Sequence, residues 1–174
     1  TEAMIRKANI GDLERIMEIV SDAQVALREL GIDQWQDGYP SSDVISDDIK
    51  SGIGYVYTNN DLVVGYAAIG LSGEVAYQQI ADCDWGTGED YVVVHRLCVK
   101  SGKKRQGIAI SLMRKAKELA TDIGYSGFRI DTHRGNIRML NMMDKLAFEY
   151  RGIIYYDSGE RLAYDLKFNN NSVL

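Results

Sequence analysis

The sequence predicts an α+β domain: one central mixed sheet, mostly antiparallel and twisted, flanked by helices. Three observations carry that prediction. Strand-like and helix-like apolar patterns follow one another in the order β-α-α-β-β-β-α-β-α-β-β, a mixed arrangement around one sheet. Hairpin-turn chemistry, Asn59-Asn60-Asp61 and Asp157-Ser158-Gly159, joins two pairs of these strands. The stretch from Tyr91 to Thr121 reads as strand, basic loop and helix, and the rest of the chain is organised around it.

In order, Met4 to Ala8 forms a short first strand. A helix begins at Asp12, with Leu13, Ile16, Met17, Val20, Ala23, Leu27 and Leu30 on its apolar face, and Gly31 ends it. The segment G-I-D-Q-W-Q-D-G-Y-P is a loop or broken helix closed by Tyr39-Pro40. Ser41, Ser42 and Asp43 are N-cap candidates for a short helix to about Lys50. Ile53 to Thr58 and Leu62 to Leu71 pair as a hairpin. Ser72 to Glu89 has no period, holds Tyr77 and Trp85, and is longer than an ordinary connection, a sign of function.

Tyr91 to Val99, an apolar run rich in β-branched residues, is a strand covered on both faces. From Ile108 the apolar residues Leu112, Ala116, Leu119 or Ala120, and Ile123 recur at the spacing of one helix face, with Gly124 as C-cap. Gly127 to Thr132 is a strand, and Asn136 to Leu146 a helix with Met139, Met143 and Leu146 on one face. Glu149 to Tyr156 and Arg161 to Phe168 close the fold. At 174 residues and 45% hydrophobic, the chain is one domain spanning 4–168, with tails at 1–3 and 169–174.

The balance of 20 Lys+Arg against 25 Asp+Glu, net charge -5, argues against nucleic acid as a partner, which needs an extended basic face. Two cysteines, Cys83 and Cys98, provide neither a disulfide framework nor a metal spacing. No signal peptide and no membrane-length apolar run is visible, so a cytoplasmic location without membrane partners is expected.

Against this acidic background Lys100, Lys103, Lys104 and Arg105 fall within six residues, just ahead of a helix. The first turn of a helix leaves backbone N–H groups unpaired and carries partial positive charge, so the loop is a natural phosphate seat. Gly107 and Ala109 keep side chains clear of it. The alternative is a turn glycine beside solvated lysines. Gly102 and Gly107 have P-loop spacing, but Ile108 and Ala109 stand where lysine and Ser/Thr belong, which argues against a Walker site.

The element order, with K-x-x-G-x-A at Lys104 to Ala109 and N-I-R-M-x-x-M-M-D-K-L-A-F at Asn136 to Phe148, resembles the GNAT superfamily of acyl-CoA-dependent N-acyltransferases. G-I-D-Q-W-Q-D-G-Y-P, H-R-L-C-V and R-I-D-T-H-R-G-N resemble a bacterial subgroup of that superfamily. The resemblance implies acetyl-CoA as co-substrate and an amine of a small molecule or protein as acceptor. It implies that backbone groups near Leu97 and Val99 pair with pantetheine. The amides of Arg105, Gln106, Gly107, Ile108 and Ala109 would cradle the pyrophosphate with help from Lys104, and Asn136 would touch the cofactor arm. Lys104 stands where the motif usually has Arg or Gln, which keeps the charge and loses the planar fork. Met143 stands where many members carry an acidic tyrosine, Ala147 where glycine precedes the final Phe, and Val93 where some have a glutamate base.

Acyl transfer needs a neutral amine. For a lysine-like acceptor of pKa about 10.4, neutrality at pH 7 costs roughly 4 to 5 kcal/mol; for an α-amine near 8, about 1 kcal/mol. A base therefore matters for a basic acceptor. By the period of two His95 shares a strand face with Val93 and Leu97, making it the first candidate base, and His133 is the second. Each could instead be a hydrogen-bonded core histidine. No metal site is expected from His95, His133 and Asp131. In the family, the segment between the first two helices and the loop before the central strand flank the acceptor. Trp35, Tyr39, Tyr77 and Trp85 are thus the candidate acceptor-binding residues, with Asp37, Asp82 or Asp84 to attract a cation. A homodimer is compatible with the sequence, and a CoA-binding module without turnover is the competing reading.

Overall fold

The computed structural model describes residues 2–82, 84–102, 105–170 and 172–174, with Arg105 and Gln106 described by their backbone alone. Seven strands run β1 (Ala3–Lys7), β2 (Gly54–Asn59), β3 (Leu62–Gly70), β4 (Tyr91–Val99), β5 (Gly127–Thr132), β6 (Glu149–Tyr156) and β7 (Gly159–Lys167). Four α-helices join them: α1 (Leu13–Glu29), α2 (Ser42–Lys50), α3 (Arg105–Asp122) and α4 (Ile137–Lys145). The strand order along the sheet is β1-β2-β3-β4-β5-β7-β6. β4 and β5 are parallel, while β1–β2, β2–β3, β5–β7 and β6–β7 are antiparallel. The expected mixed, mostly antiparallel sheet is therefore the one observed. Among the described residues no helix is long and apolar enough to cross a membrane.

The chain divides into two compact units: Thr1–Ile69 with Val94–Lys115, and Gly70–Val93 with Ala116–Leu174. In the first, Ile16, Ile19 and Val20 of α1 and Ile45 of α2 pack with Val56, Val63, Tyr66 and Cys98. Each fully buried Ile or Val among them contributes about 1.5–3 kcal/mol. The α1 stripe differs from the expected one at two places: Ile19 joins it and Leu30 is exposed. The helix starts at Leu13 with Asp12 as its N-cap, as expected, and a short turn precedes it. Asn9 caps a 3-10 turn at Ile10–Asp12, its side chain accepting from the Gly11 amide while Asp12 accepts from the Asn9 amide at 2.8 Å. Asp12 takes both Arg6 nitrogens as well, at 2.8 and 2.9 Å. These hydrogen bonds outweigh burial and hold its carboxyl below the usual range.

Gly65 of β3 has a positional reason. A Cβ there would lie 2.8 Å from Ile108 Cγ2 and 3.4 Å from Leu112 Cδ1, so glycine lets the start of α3 sit close on the sheet. The α3 face itself is Ala109, Leu112, Met113, Ala116 and Ala120. Ile123, expected on that face, lies past the helix end and is exposed.

In the second unit the aperiodic segment 72–89 is pinned at every few residues. Val75–Gln78 is a 3-10 turn. Ala81 and Ile153 exchange backbone hydrogen bonds at 2.8 and 3.0 Å, which stitches the segment to β6 beside a bulge at Gly152, φ +139°. No side chain fits at Gly152, because a Cβ would strike the Ala81 carbonyl oxygen. The Trp85 indole donates to the Tyr77 carbonyl at 2.9 Å. Arg129 donates to Thr87 Oγ1 and to the carbonyls of Thr87 and Gly88, at 2.9 to 3.0 Å, with its guanidinium 4.4 Å from the Trp85 ring centroid and 4.0 Å from that of Tyr91.

Candidate active site

The central strand is not regular. Arg96 adopts φ +54°, a left-handed conformation that costs an arginine of order 1–3 kcal/mol. The period of two expected to carry from Val93 through His95 to Leu97 is therefore interrupted between the last two. Burial follows the interruption: Tyr91 to Val94 are buried, His95 to Leu97 half-buried, and Cys98 and Val99 buried again. The parallel register with β5 runs from Tyr91↔Gly127 to Val93↔Arg129. His95, Leu97 and Val99 lie beyond it along β4.

What holds Arg96 is Asp48, 4% exposed on α2. The carboxylate accepts from Arg96 Nε at 2.7 Å and Nη2 at 2.6 Å, and from the Tyr66 hydroxyl at 2.7 Å. Burial opposes the Arg96 charge, but the Asp48 hydrogen bonds more than offset it, so the guanidinium is held above its ordinary value. Burial, and then Asp48, push the Tyr66 phenol upward too. Nη1 of Arg96 donates to the Tyr39 hydroxyl at 3.0 Å. Sequence reasoning passed over both members of this pair. The available signal was an acid at Asp48, three residues after Ile45 and one before Ile49, on the inward stripe of α2.

The loop ahead of α2 is tied to α1. Gln36 donates to the carbonyls of Gln24 and Gln34 and accepts from Arg28, while Gln24 donates to the Tyr39 carbonyl. Trp35, at φ +64°, packs against the core of its unit. Tyr39 is 43% exposed. Ser41 caps α2 by accepting from the Val44 amide at 3.3 Å. The structure thus brings Tyr39 to β4 through Arg96 and turns Trp35 inward.

Past the C-terminal end of β4, α3 begins at Arg105, three residues before the periodicity had suggested. Gly107 is exposed, and a Cβ there would meet no heavy atom within 4 Å. Ile108 and Leu112 face Gly65, and Ala109 is buried. The amides of this first turn, not its described side chains, are what a ligand would meet, and such unpaired N–H groups at a helix N-terminus fit a pyrophosphate. Of the basic cluster, Lys100 pairs with Asp22 at 2.8 Å. Lys103 and Lys104 lie outside the described residues.

The remaining candidates belong to the second unit. Tyr77, 1% exposed, donates to Asp131 Oδ2 at 2.7 Å, and Tyr156 donates to the same oxygen at 2.9 Å. Burial, then Asp131, raises the Tyr77 phenol well above its ordinary value. Its ring lies 5.0 Å from that of Trp85, and both line a cavity of about 420 Å³ with Glu74, Asp84 and Glu89. His133 Nδ1 accepts from the Gly135 amide at 2.9 Å. The neutral ring then carries its proton on Nε2, so it is a donor there and has no lone pair left on Nδ1 for base chemistry. Asn136 caps α4, its Oδ1 accepting from the Met139 amide at 3.3 Å, which leaves its NH₂ group for a ligand. Met143 is fully buried.

The sequence model of the Acetyltransferase (GNAT) family matches residues 14–148. No curated protein matches the chain. Among solved structures, a GNAT-family acetyltransferase from Streptococcus agalactiae is similar at 29% identity and TM-score 0.86, covering 97% of this chain and 96% of that one. An N-acetyltransferase from Staphylococcus aureus shares the fold at 22% identity and TM-score 0.67, with 96% and 99% covered. So does PaiA N-acetyltransferase of Thermoplasma acidophilum, a structure in complex with coenzyme A, at 17% identity, TM-score 0.70, and 97% and 100% covered.

Proposed function

The chain belongs to the acetyltransferase (GNAT) family, and from that premise we propose that it moves an acetyl group from acetyl-CoA to a primary amine of a small molecule or protein. The neutral amine attacks the thioester carbonyl directly, the C–N bond forms, the C–S bond breaks to release CoA as the thiolate, and the proton shed by the nitrogen ends on the thiolate to give the amide and free CoA thiol. The thiol, of reference pKa about 8.5, needs only modest help to leave. That agrees with a fully buried methionine at Met143.

The observation that carries the reading is the first turn of α3. A helix start there leaves first-turn amides for a ligand, the space beside Gly107 is open, and α3 is seated against β3 through Gly65. Acetyl-CoA supplies the activated acyl group. The amides of Arg105 to Ala109 would hold its pyrophosphate, with Lys104 adding charge, Leu97 and Val99 backbone groups its pantetheine, and Asn136 its arm. Thiol release on mixing the protein with acetyl-CoA and a panel of primary amines tests the proposal. Turnover on at least one amine is expected. Tight CoA binding without turnover on any would leave the chain a CoA-binding module.

Between the two histidines, the base assignment goes to His95, which is half-buried on β4. His95→Ala is expected to lower kcat/KM for a basic amine at least about tenfold with CoA affinity nearly unchanged. An unaltered pH–rate profile in that variant would remove His95 from the role.

A further inference from the structure

Tyr39 is held from two sides. Its carbonyl accepts from Gln24 Nε2 at 2.9 Å and its phenol oxygen from Arg96 Nη1 at 3.0 Å. The guanidinium is itself fixed by two short hydrogen bonds to Asp48, at 2.6 and 2.7 Å, with only 14% of the Arg96 side chain exposed. The Tyr39 oxygen already receives a charged donor, so what the phenol has left to offer a ligand is its own O–H. Arg96 contributes donors only, and its charge is balanced by Asp48. The group presented beside β4 is therefore one aimed hydroxyl donor. Its natural partner is an oxygen with a lone pair, such as a carbonyl or carboxylate.

We propose that Arg96, clamped by Asp48, is a positioning residue that aims the Tyr39 hydroxyl at a carbonyl or carboxylate oxygen of the acceptor, so that the preferred acceptors are amino-acid-like or peptidyl amines rather than plain alkylamines. The inference rests on the acetyl-transfer reading above. The strained φ at Arg96 fits it: strain in the middle of a strand persists because the Asp48 clamp over-determines the arginine. A site built to pair with a substrate oxygen discriminates sharply against analogues that lack one, since its donor is then left without a partner.

Phenylalanine amide and phenethylamine serve as probes, alike except for the carboxamide. The quantity read is the ratio of their kcat/KM values, compared between parent and variant so that the amines' own basicities cancel. Tyr39→Phe, an exposed-edge change expected to leave Tm and the KM for acetyl-CoA unaltered, should lower that ratio at least fivefold. Arg96→Lys, which keeps charge but loses the fork that reaches Asp48 and Tyr39 together, should lower it as much. A ratio within twofold of the parent in Tyr39→Phe overturns the proposal. Should neither amine be acetylated, the acetyl-transfer reading suffers, and hydrogen exchange across 31–40 decides the positioning role separately. Exchange at least fivefold faster in Tyr39→Phe supports it, and parental exchange overturns it.

Discussion

Asp165→Ala is expected to destabilise the protein by about 3–5 kcal/mol, because several covered donors lose one shared acceptor at about 1–3 kcal/mol each. Asp165 is 2% exposed on β7. Its Oδ2 accepts from the amides of Gly86 and Thr87 and from Thr87 Oγ1, at 2.8 to 2.9 Å, and its Oδ1 from Arg151 Nε at 2.8 Å. Alanine would leave two amides, the Thr87 hydroxyl and Arg151 Nε without this acceptor, while Arg151 Nη2 keeps Glu149 at 2.7 Å, and each orphaned group costs about 1–3 kcal/mol. Thr87 also anchors Arg129 between Trp85 and Tyr91, so the loss spreads along segment 72–89. For a chain of this length the effect is a fall in Tm of roughly 10 °C. Asp165→Asn, which keeps one acceptor oxygen, should fall by less. A decrease under about 3 °C in the alanine variant would show that the segment is held by other contacts.

That anchoring explains why the 72–89 segment was opaque in the sequence. Its order comes from an acid almost eighty residues downstream, a backbone bridge to β6 and a cation stacked between two rings. None of these leaves a period. The elements that were legible are those whose cause is local: α2 with its Ser41 cap, the turn where Asn60 and Asp61 take positive φ, and α4 with Asn136 at its start. The same division runs through the candidate site. That a helix follows β4 could be read from the apolar spacing after Ile108, because that signal is local, although the helix itself begins at Arg105. The Asp48–Arg96–Tyr39 arrangement could not, since its members lie on three elements and meet only through the irregular φ at Arg96. Strict alternation along β4, a good assumption for a regular strand, fails at that one residue.

Gly107→Asp should separate binding from folding. In the free protein a side chain at 107 meets no heavy atom within 4 Å, and an acid in the first turn of a helix is favourable by about 0.3–1 kcal/mol. Stability should therefore hold or rise slightly. Binding should move the other way. A carboxylate there claims the amides that a pyrophosphate would use and adds a negative charge beside it. Two like charges about 4 Å apart at an effective dielectric of 20 repel by roughly 4 kcal/mol, close to a thousandfold in affinity, and salt screening of the partly open turn reduces this to a loss of at least about a hundredfold. Calorimetric titration with CoA reads the effect, and Gly107→Asn separates its two components. If charge dominates, the asparagine variant retains most of the affinity and its binding is less salt-sensitive than that of the aspartate variant. If bulk dominates, both variants lose binding together while keeping the parental Tm. Either pattern places the phosphate at this turn through Gly107, whereas an aspartate variant binding CoA within threefold of the parent would move the phosphate seat elsewhere on the chain.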